Sequence, residues 1–352
     1  MKIELKPIEE QVIVVTGASS GIGLATARLA SERGARVVLT SRDKADLKKA
    51  VREIQKGGGE ATYAVADVAN YDQLRAVAEL AVREFGGLDT WVNNAGVSVY
   101  GRVEEVALED ARRLFETNYW GMVHGSLIAA EYLRPRGGAL INVGSIVSDR
   151  AIPLQGHYSA SKHAVKGFTD ALRMELEEEG TPISVTLVKP GSIDTQFTAH
   201  AKSVMDAEPT LPPPVYSPRV VAKTILRCAE RPVRDITVGG GGRVISGLGR
   251  VSPRLTDRYM ESSLFDQQKR DEPAPERRRD TLHKPLRGDV SERGDYPGHV
   301  ARTSAYTGAR LHPIRTALAV AALGAGVAMA LRGDGLGGGG FGEGSGDWTA
   351  KD

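Results

Sequence analysis

Between residues 11 and 240, short apolar runs alternate with longer stretches whose apolar residues recur every three or four positions. Only an α/β architecture satisfies both periods in turn. The runs at 11–16, 35–40, 61–66, 88–93, 138–144, 182–188 and 235–238 read as strands. Helical patterns fill 22–33, 43–56, 70–85, 108–134, 155–179 and 217–230. Gly34 stops the first helix, and Gly57-Gly58-Gly59 breaks the chain after the second. Strands separated by helices of this length pair in parallel through right-handed crossovers. The expected fold is therefore a Rossmann-type doubly wound sheet of about seven strands.

The pattern stops near residue 240, at the run Gly239 to Gly242. Residues 266–310 are rich in Arg, Asp, Glu and Pro and poor in large apolar side chains. Such a stretch cannot build a core of its own. The expected division is a catalytic domain at 1–250, a polar, disordered or extended linker at 251–315, an apolar helix at 316–332 and a glycine-rich disordered tail at 333–352. The run at 317–331 is uncharged and lies between Arg315 and Arg332. As a helix of fifteen residues it would reach about 23 Å, whereas a bilayer core needs roughly 30 Å. A short membrane anchor, a helix buried on the catalytic domain, and a helix–helix contact through small residues all fit it. If inserted, Arg310 and Arg315 on the near side would keep the catalytic domain in the cytoplasm.

Hydrophobic residues make up 41% and charged ones 26%, a globular balance that excludes a wholly disordered chain. The 46 Lys+Arg against 44 Asp+Glu produce no field that would attract nucleic acid. The single cysteine, Cys228, excludes an intrachain disulfide and fits a reducing, cytoplasmic compartment. The first ten residues hold no apolar core of a secretory signal.

The sharpest motif is T-G-A-S-S-G-I-G at 16–23, between the first strand and the first helix. Gly17 permits a tight turn, Gly21 lets the backbone approach a pyrophosphate, and Gly23 lets the helix pack on the strand. Ser19, Ser20 and Ile22 complete the turn, and the helix start offers free N–H groups to phosphates. The second strand ends at Ser41-Arg42 rather than at an acid. A planar cation there suits a ribose 2′-phosphate, so NADP(H) is expected in preference to NAD(H), although Asp43 follows directly.

Tyr158 and Lys162 stand four residues apart on one helix face. A free tyrosine has a pKa of about 10, and a neighbouring ammonium favours the phenolate. Ser145 lies at the carboxyl end of the fifth strand, the edge at which open parallel sheets bind ligands. The segments 93–96 (N-N-A-G) and 190–195 (P-G-S-I-D-T) fall on that same edge. His157 and His163 beside them read as wall or surface residues, and no Cys/His cluster has metal-ligand spacing.

Over residues 11–240 this combination resembles the short-chain dehydrogenase/reductase family. By resemblance, Tyr158 exchanges a proton with the substrate oxygen, Ser145 hydrogen-bonds that oxygen, and Lys162 holds the nicotinamide ribose and lowers the tyrosine pKa. Asn118 matches the residue that holds a proton-relay water. Asp67 and Val68 match the pair at the adenine, and Asn94, Ala95 and Gly96 line the adenosine side. Pro190, Gly191, Ile193 and Thr195 match the loop on the nicotinamide. The resemblance implies an NADP(H)-dependent oxidoreductase acting on a carbonyl or secondary alcohol. It also implies a homo-oligomer paired through helices 108–134 and 155–179. The alternative is a dinucleotide-binding scaffold or redox sensor that recruits a partner through its tail; the intact Ser, Tyr and Lys set argues against it. Phe197, Val204, Met205 and Leu211 suggest an apolar lid over the substrate.

Overall fold

Strands buried on both faces of a parallel sheet are largely apolar, and the apolar runs supply them. They form β1 (Val12–Thr16), β2 (Arg36–Ser41), β3 (Ala61–Val65), β4 (Thr90–Asn93), β5 (Gly138–Val143), β6 (Ile183–Pro190) and β7 (Asp235–Val238). The order across the sheet is β7-β6-β5-β4-β1-β2-β3, and all pairs are parallel. The computed structural model describes residues 3–275, 279–288, 290–312, 316–318 and 321.

The helices are α1 (Gly21–Glu32), α2 (Lys44–Lys56), α3 (Tyr71–Phe85), α4 (Leu108–Phe115), α5 (Gly121–Leu133), α6 (Gly156–Glu178) and α7 (Pro218–Glu230). Their ends have local causes. The Asp43 carboxylate caps α2 by accepting from the Asp46 N–H at 2.9 Å, and the Asn70 side chain caps α3 by accepting from Gln73 at 3.0 Å. Gly86, at φ +80°, closes α3, and Pro218 opens α7. The single helix expected over 108–134 is interrupted by a π turn at Glu116–Trp120. Gly121 follows it, where a Cβ would stand 2.5 Å from Val68. Such turns widen the helix locally and turn a side chain out of register.

A polar seam runs through the apolar core. The Asn93 amide donates to Asn142 at 2.8 Å and to Ser126 at 3.1 Å, and Asn142 donates to Thr169 at 3.0 Å. Buried amides are stable only when so satisfied, and this seam locks β4, β5, α5 and α6 in one register. Trp91 is fully buried beside it and donates to Asn93 at 2.7 Å.

The segment expected as a linker behaves differently. It follows α8 (Gly241–Val251) and contains α9 (Pro253–Gln267) and a strand at Lys269–Pro273 that pairs antiparallel with Ala207–Pro209. Val300–Ala301 pairs with Val215–Tyr216. Met260, Leu264 and Leu282 are buried. A polar stretch cannot make its own core, but it can place single apolar residues into one already built. Residues Met1–Gly308 thus form one compact unit, and a second begins at Ala309. Apart from residues 317, 318 and 321, the apolar run and everything after it lie outside the described residues. Among the described residues, no helix is long and apolar enough to cross a membrane.

The seam leaves no room on α5. A Cβ at Gly125 would stand 2.1 Å from Asn93 Oδ1 and 2.8 Å from Trp91 Nε1. Gly125→Ala should therefore destabilise the protein by about 1–3 kcal/mol despite alanine's better helix propensity. A urea midpoint at or above wild type would show that the seam can yield.

Candidate active site

The carboxyl ends of the parallel strands open on a cavity of 280 Å³. The glycine turn after β1 forms one wall. Gly17 and Gly21 take φ +63° and +57°, and a Cβ at Gly23 would stand 2.2 Å from the Gly17 carbonyl oxygen. Asn94 staples this turn to the end of β4, its amide donating to the carbonyls of Thr16 at 2.9 Å and Gly17 at 3.2 Å. Thr16 Oγ1 in return accepts from the N–H groups of Asn94 and Ala95, both at 3.0 Å. The first turn of α1 carries no acidic residue and lines the cavity, and the Gly21 N–H at its head donates to the Ser291 carbonyl at 2.8 Å.

Ser145 follows β5. Its backbone N–H donates to Ser148 Oγ at 3.1 Å, while its hydroxyl accepts from the Val147 N–H at 3.3 Å and hydrogen-bonds Tyr158. Helix α6 brings Tyr158 and Lys162 to the same wall. Lys162 Nζ lies 5.8 Å from the centre of the tyrosine ring and donates to the Val143 carbonyl at 2.9 Å. The expected lowering of the phenol by its lysine is not what this site shows. Burial pushes Tyr158 up to about 12 against the opposing hydrogen bond from Ser145. Burial also pushes Lys162 down to about 8. Each group is thus shifted toward its neutral form.

Ser19, Ser20, Ile22, Ser41, Arg42, Asp67, Val68, Asn94, Ala95, Gly96, Pro190, Gly191, Ile193 and Thr195 all line this cavity, with Gly17, Gly21, Ser145, Tyr158 and Lys162. Gly23 and Asn118 do not; they support it from behind. Asn118, 1% exposed in the π turn, donates to the Val97 carbonyl at 2.9 Å and to Ser161 at 3.1 Å, and accepts from the Val97 N–H at 2.8 Å. Both polar ends of its side chain are therefore engaged with protein. Arg42 donates to the carbonyls of Leu282, at 3.3 Å, and Thr281. Burial lowers its pKa, and Asp67 opposes that shift.

Sequence reasoning missed Arg113, which pairs with Asp67 at 2.5 Å and donates to the Leu282 carbonyl at 3.1 Å. It also missed Thr281, Pro285 and Leu286, which close the cavity from the C-terminal segment. No spacing pattern marks any of these. Of the expected lid, Phe197 and Leu211 line the cavity, and the Phe197 ring lies 5.5 Å from that of Tyr158. Met205 is instead buried in a cluster with Tyr100 and Leu154, and Val204 is 40% exposed. His157 and His163 bond to backbone carbonyls and do not line the cavity. Cys228 is fully buried, and burial pushes its thiol up to about 12.

Residues 11–206 match the profile of a family described as short chain dehydrogenase. The chain belongs to that family. The oxidoreductase YxnA of Bacillus subtilis is 43% identical over 92% of this chain and 92% of its own. An alcohol dehydrogenase of Thermococcus sibiricus, solved with 5-hydroxy-NADP, superposes with a TM-score of 0.57 at 26% identity, over 65% of this chain and 95% of its own. A short chain dehydrogenase of Mycobacterium paratuberculosis bound to NAD superposes with a TM-score of 0.59 at 28% identity, over 67% of this chain and 99% of its own. The family assignment makes the protein an oxidoreductase of the short-chain dehydrogenase type.

The depressed lysine can be observed directly. In an NMR titration of the labelled protein, one lysine side chain should titrate near pH 8, charged below and neutral above, and its signal should vanish in Lys162→Met. A Lys162 that titrated at the ordinary value of about 10.4 would contradict its desolvation.

Proposed function

We propose that this protein is an NADP(H)-dependent oxidoreductase that interconverts a carbonyl compound and a secondary alcohol. The observation that carries the reading is the convergence of Ser145, Tyr158 and Lys162 on the cavity that the glycine turn also lines. The residues fit a dinucleotide, because a helix start free of acids faces that cavity, as a pyrophosphate requires. When bound, the nicotinamide supplies or accepts the hydride.

The chain's own residues handle the oxygen and its proton. With its pKa near 12, Tyr158 is protonated at neutral pH and stands ready as a proton donor to a carbonyl oxygen. The Ser145 hydroxyl supports the same oxygen as charge develops on it, a role of the oxyanion-hole type. Lys162, mostly charged at neutral pH with a pKa near 8, offsets the phenolate that remains and offers an N–H to ribose hydroxyls. Asn118 acts as a positioning residue that holds the loop at Val97 against α6.

Arg42 lines the cavity at the end expected to hold the adenosine, beside Arg113 and Asp67; both arginines donate to the Leu282 carbonyl, and on giving up that contact they favour a 2′-phosphate. Tyr100, Ile146, Val147, Ile152, Phe197 and Leu211 make the wall beside Tyr158 largely apolar, so the substrate is an apolar carbonyl compound or alcohol. Trp120, Leu127 and Met174 are exposed on the π turn, α5 and α6, and support self-association through those helices. The reading keeps the catalytic domain in the cytoplasm, where a thiol such as Cys228 stays reduced.

Tyr158→Phe keeps the ring and removes the proton. It should abolish nearly all ketone reduction, by about 10²-fold or more, with NADPH binding largely intact. Retention of about half the activity would remove Tyr158 from the proton transfer. Arg42→Ala should raise KM for NADPH about tenfold to a hundredfold and change that for NADH far less. Equal effects on the two cofactors would show that Arg42 does not read the 2′-phosphate.

A further inference from the structure

Residues 280–288 and 290–296 of the C-terminal segment do not pass beside the cofactor groove; they cross it. The segment enters where the Thr281 N–H donates to the His200 carbonyl at 2.9 Å. It passes Arg42 and Arg113, which bond its carbonyls, and His283 meets Asp110 at 2.8 Å. Further on, the Gly288 N–H donates to Asp46 at 3.0 Å. The Gly21 N–H, at the head of α1, donates to the Ser291 carbonyl at 2.8 Å. The segment leaves over the β6 loop, where Arg293 meets the buried Asp194 at 2.8 Å.

The space beneath remains open. Thr281, Pro285 and Leu286 line the same cavity as the glycine turn, Ser145 and Tyr158. The segment is thus a wall of the site, and where it crosses it takes up the Gly21 N–H and Arg42, two groups that the cofactor reading assigns to the dinucleotide. Its fastening is mostly polar, and Leu282 is its one fully buried apolar side chain among the described residues. Glu292 is clasped from two helices. It is gripped by Arg28 at 3.0 Å from α1 and by Arg219 at 3.1 Å from α7. Burial alone would raise its pKa, but Arg219 and Arg28 hold it below the ordinary value. Ion pairs of this kind at a surface are individually weak and can release together.

We infer that residues 280–288 and 290–296 form a cover over the dinucleotide site, clasped by Glu292 between Arg28 and Arg219, and that NADP(H) enters and leaves only when this cover lifts. The inference rests on the cofactor reading above. A segment of this kind makes exchange of cofactor slow without changing the groups that perform the chemistry.

The test is stopped-flow measurement of NADPH association and release with the full chain. Glu292→Lys places a third cation between the two arginines and should hold the cover open. Release should then be about tenfold faster or more, association should also quicken, and Kd should move less than either rate. Glu292→Gln should fall between, and serves if the lysine variant does not fold; Glu292→Asp should retain the slow rates. Unchanged rates overturn the cover. Faster association with unchanged release overturns it too, since that describes a competitor for the site. Amide hydrogen exchange without nucleotide gives a second reading. The segment and Gly21 should be protected in the wild type and exposed in Glu292→Lys, with the sheet unaffected. Free exchange in a wild type that binds NADPH tightly defeats the cover alone. Protection with no binding of NADPH or NADH defeats the cofactor reading, and the cover with it.

Discussion

The site depends on the pressing of a glycine turn against the end of a neighbouring strand. Gly17 has room for no Cβ, because one would stand 2.8 Å from the Ala95 Cα. At Gly23 the obstacle is the turn itself. With both side chains absent, Asn94 reaches the carbonyls of residues 16 and 17, and Thr16 receives the two N–H groups that follow β4. Four hydrogen bonds thereby set the distance between β1 and β4 at the edge where ligands meet a parallel sheet. The head of α1, the loop to Val97, and through Asn118 the active face of α6, all take their positions from that contact.

Electrostatics in the site follow from the same tight packing. Tyr158 and Lys162 are both desolvated, and the tyrosine hydroxyl meets Ser145 while the ammonium meets a backbone carbonyl. Desolvation penalises each charged form, so one proton is held more tightly and the other less. Groups placed this way are costly to fold around, and such cost is characteristic of sites where a proton is to be moved. Structural ion pairs elsewhere look different. Asp149, for example, is buried but met by Lys166 at 2.5 Å and Lys189 at 2.8 Å, and those partners keep its pKa below the ordinary value despite the opposing effect of burial.

The sheet was legible because periodicity reports burial, and burial is nearly continuous along its inner strands, whereas the edge strand β3 is mostly half-buried. Seven runs were identified to within a residue or two of the strands. The residues at the carboxyl edge were legible because glycine turns and a Tyr/Lys pair at helical spacing are rare in that position. Other features were hidden for physical reasons. The π turn at Glu116–Trp120 inserts one residue into a continuous helical pattern, and no composition marks it. The fold of 251–308 was hidden because its stabilisation comes from backbone pairing with 207–216 and from ion pairs to distant helices. A hydrophobic count sees neither. Arg42 was found but its surroundings were not, since its neighbours Thr281 and Leu282 lie some 240 residues away along the chain.

The environment of Cys228 has a practical consequence. The side chain is sealed in the core beside α1, and with a pKa near 12 its reactive thiolate is a vanishing fraction at neutral pH. It is also the sole sulfhydryl in the sequence. The folded chain therefore presents no exposed thiolate to maleimides and other thiol reagents. A cysteine placed on any solvent-facing loop would be labelled alone, so dyes or spin probes can be introduced without first removing a natural residue.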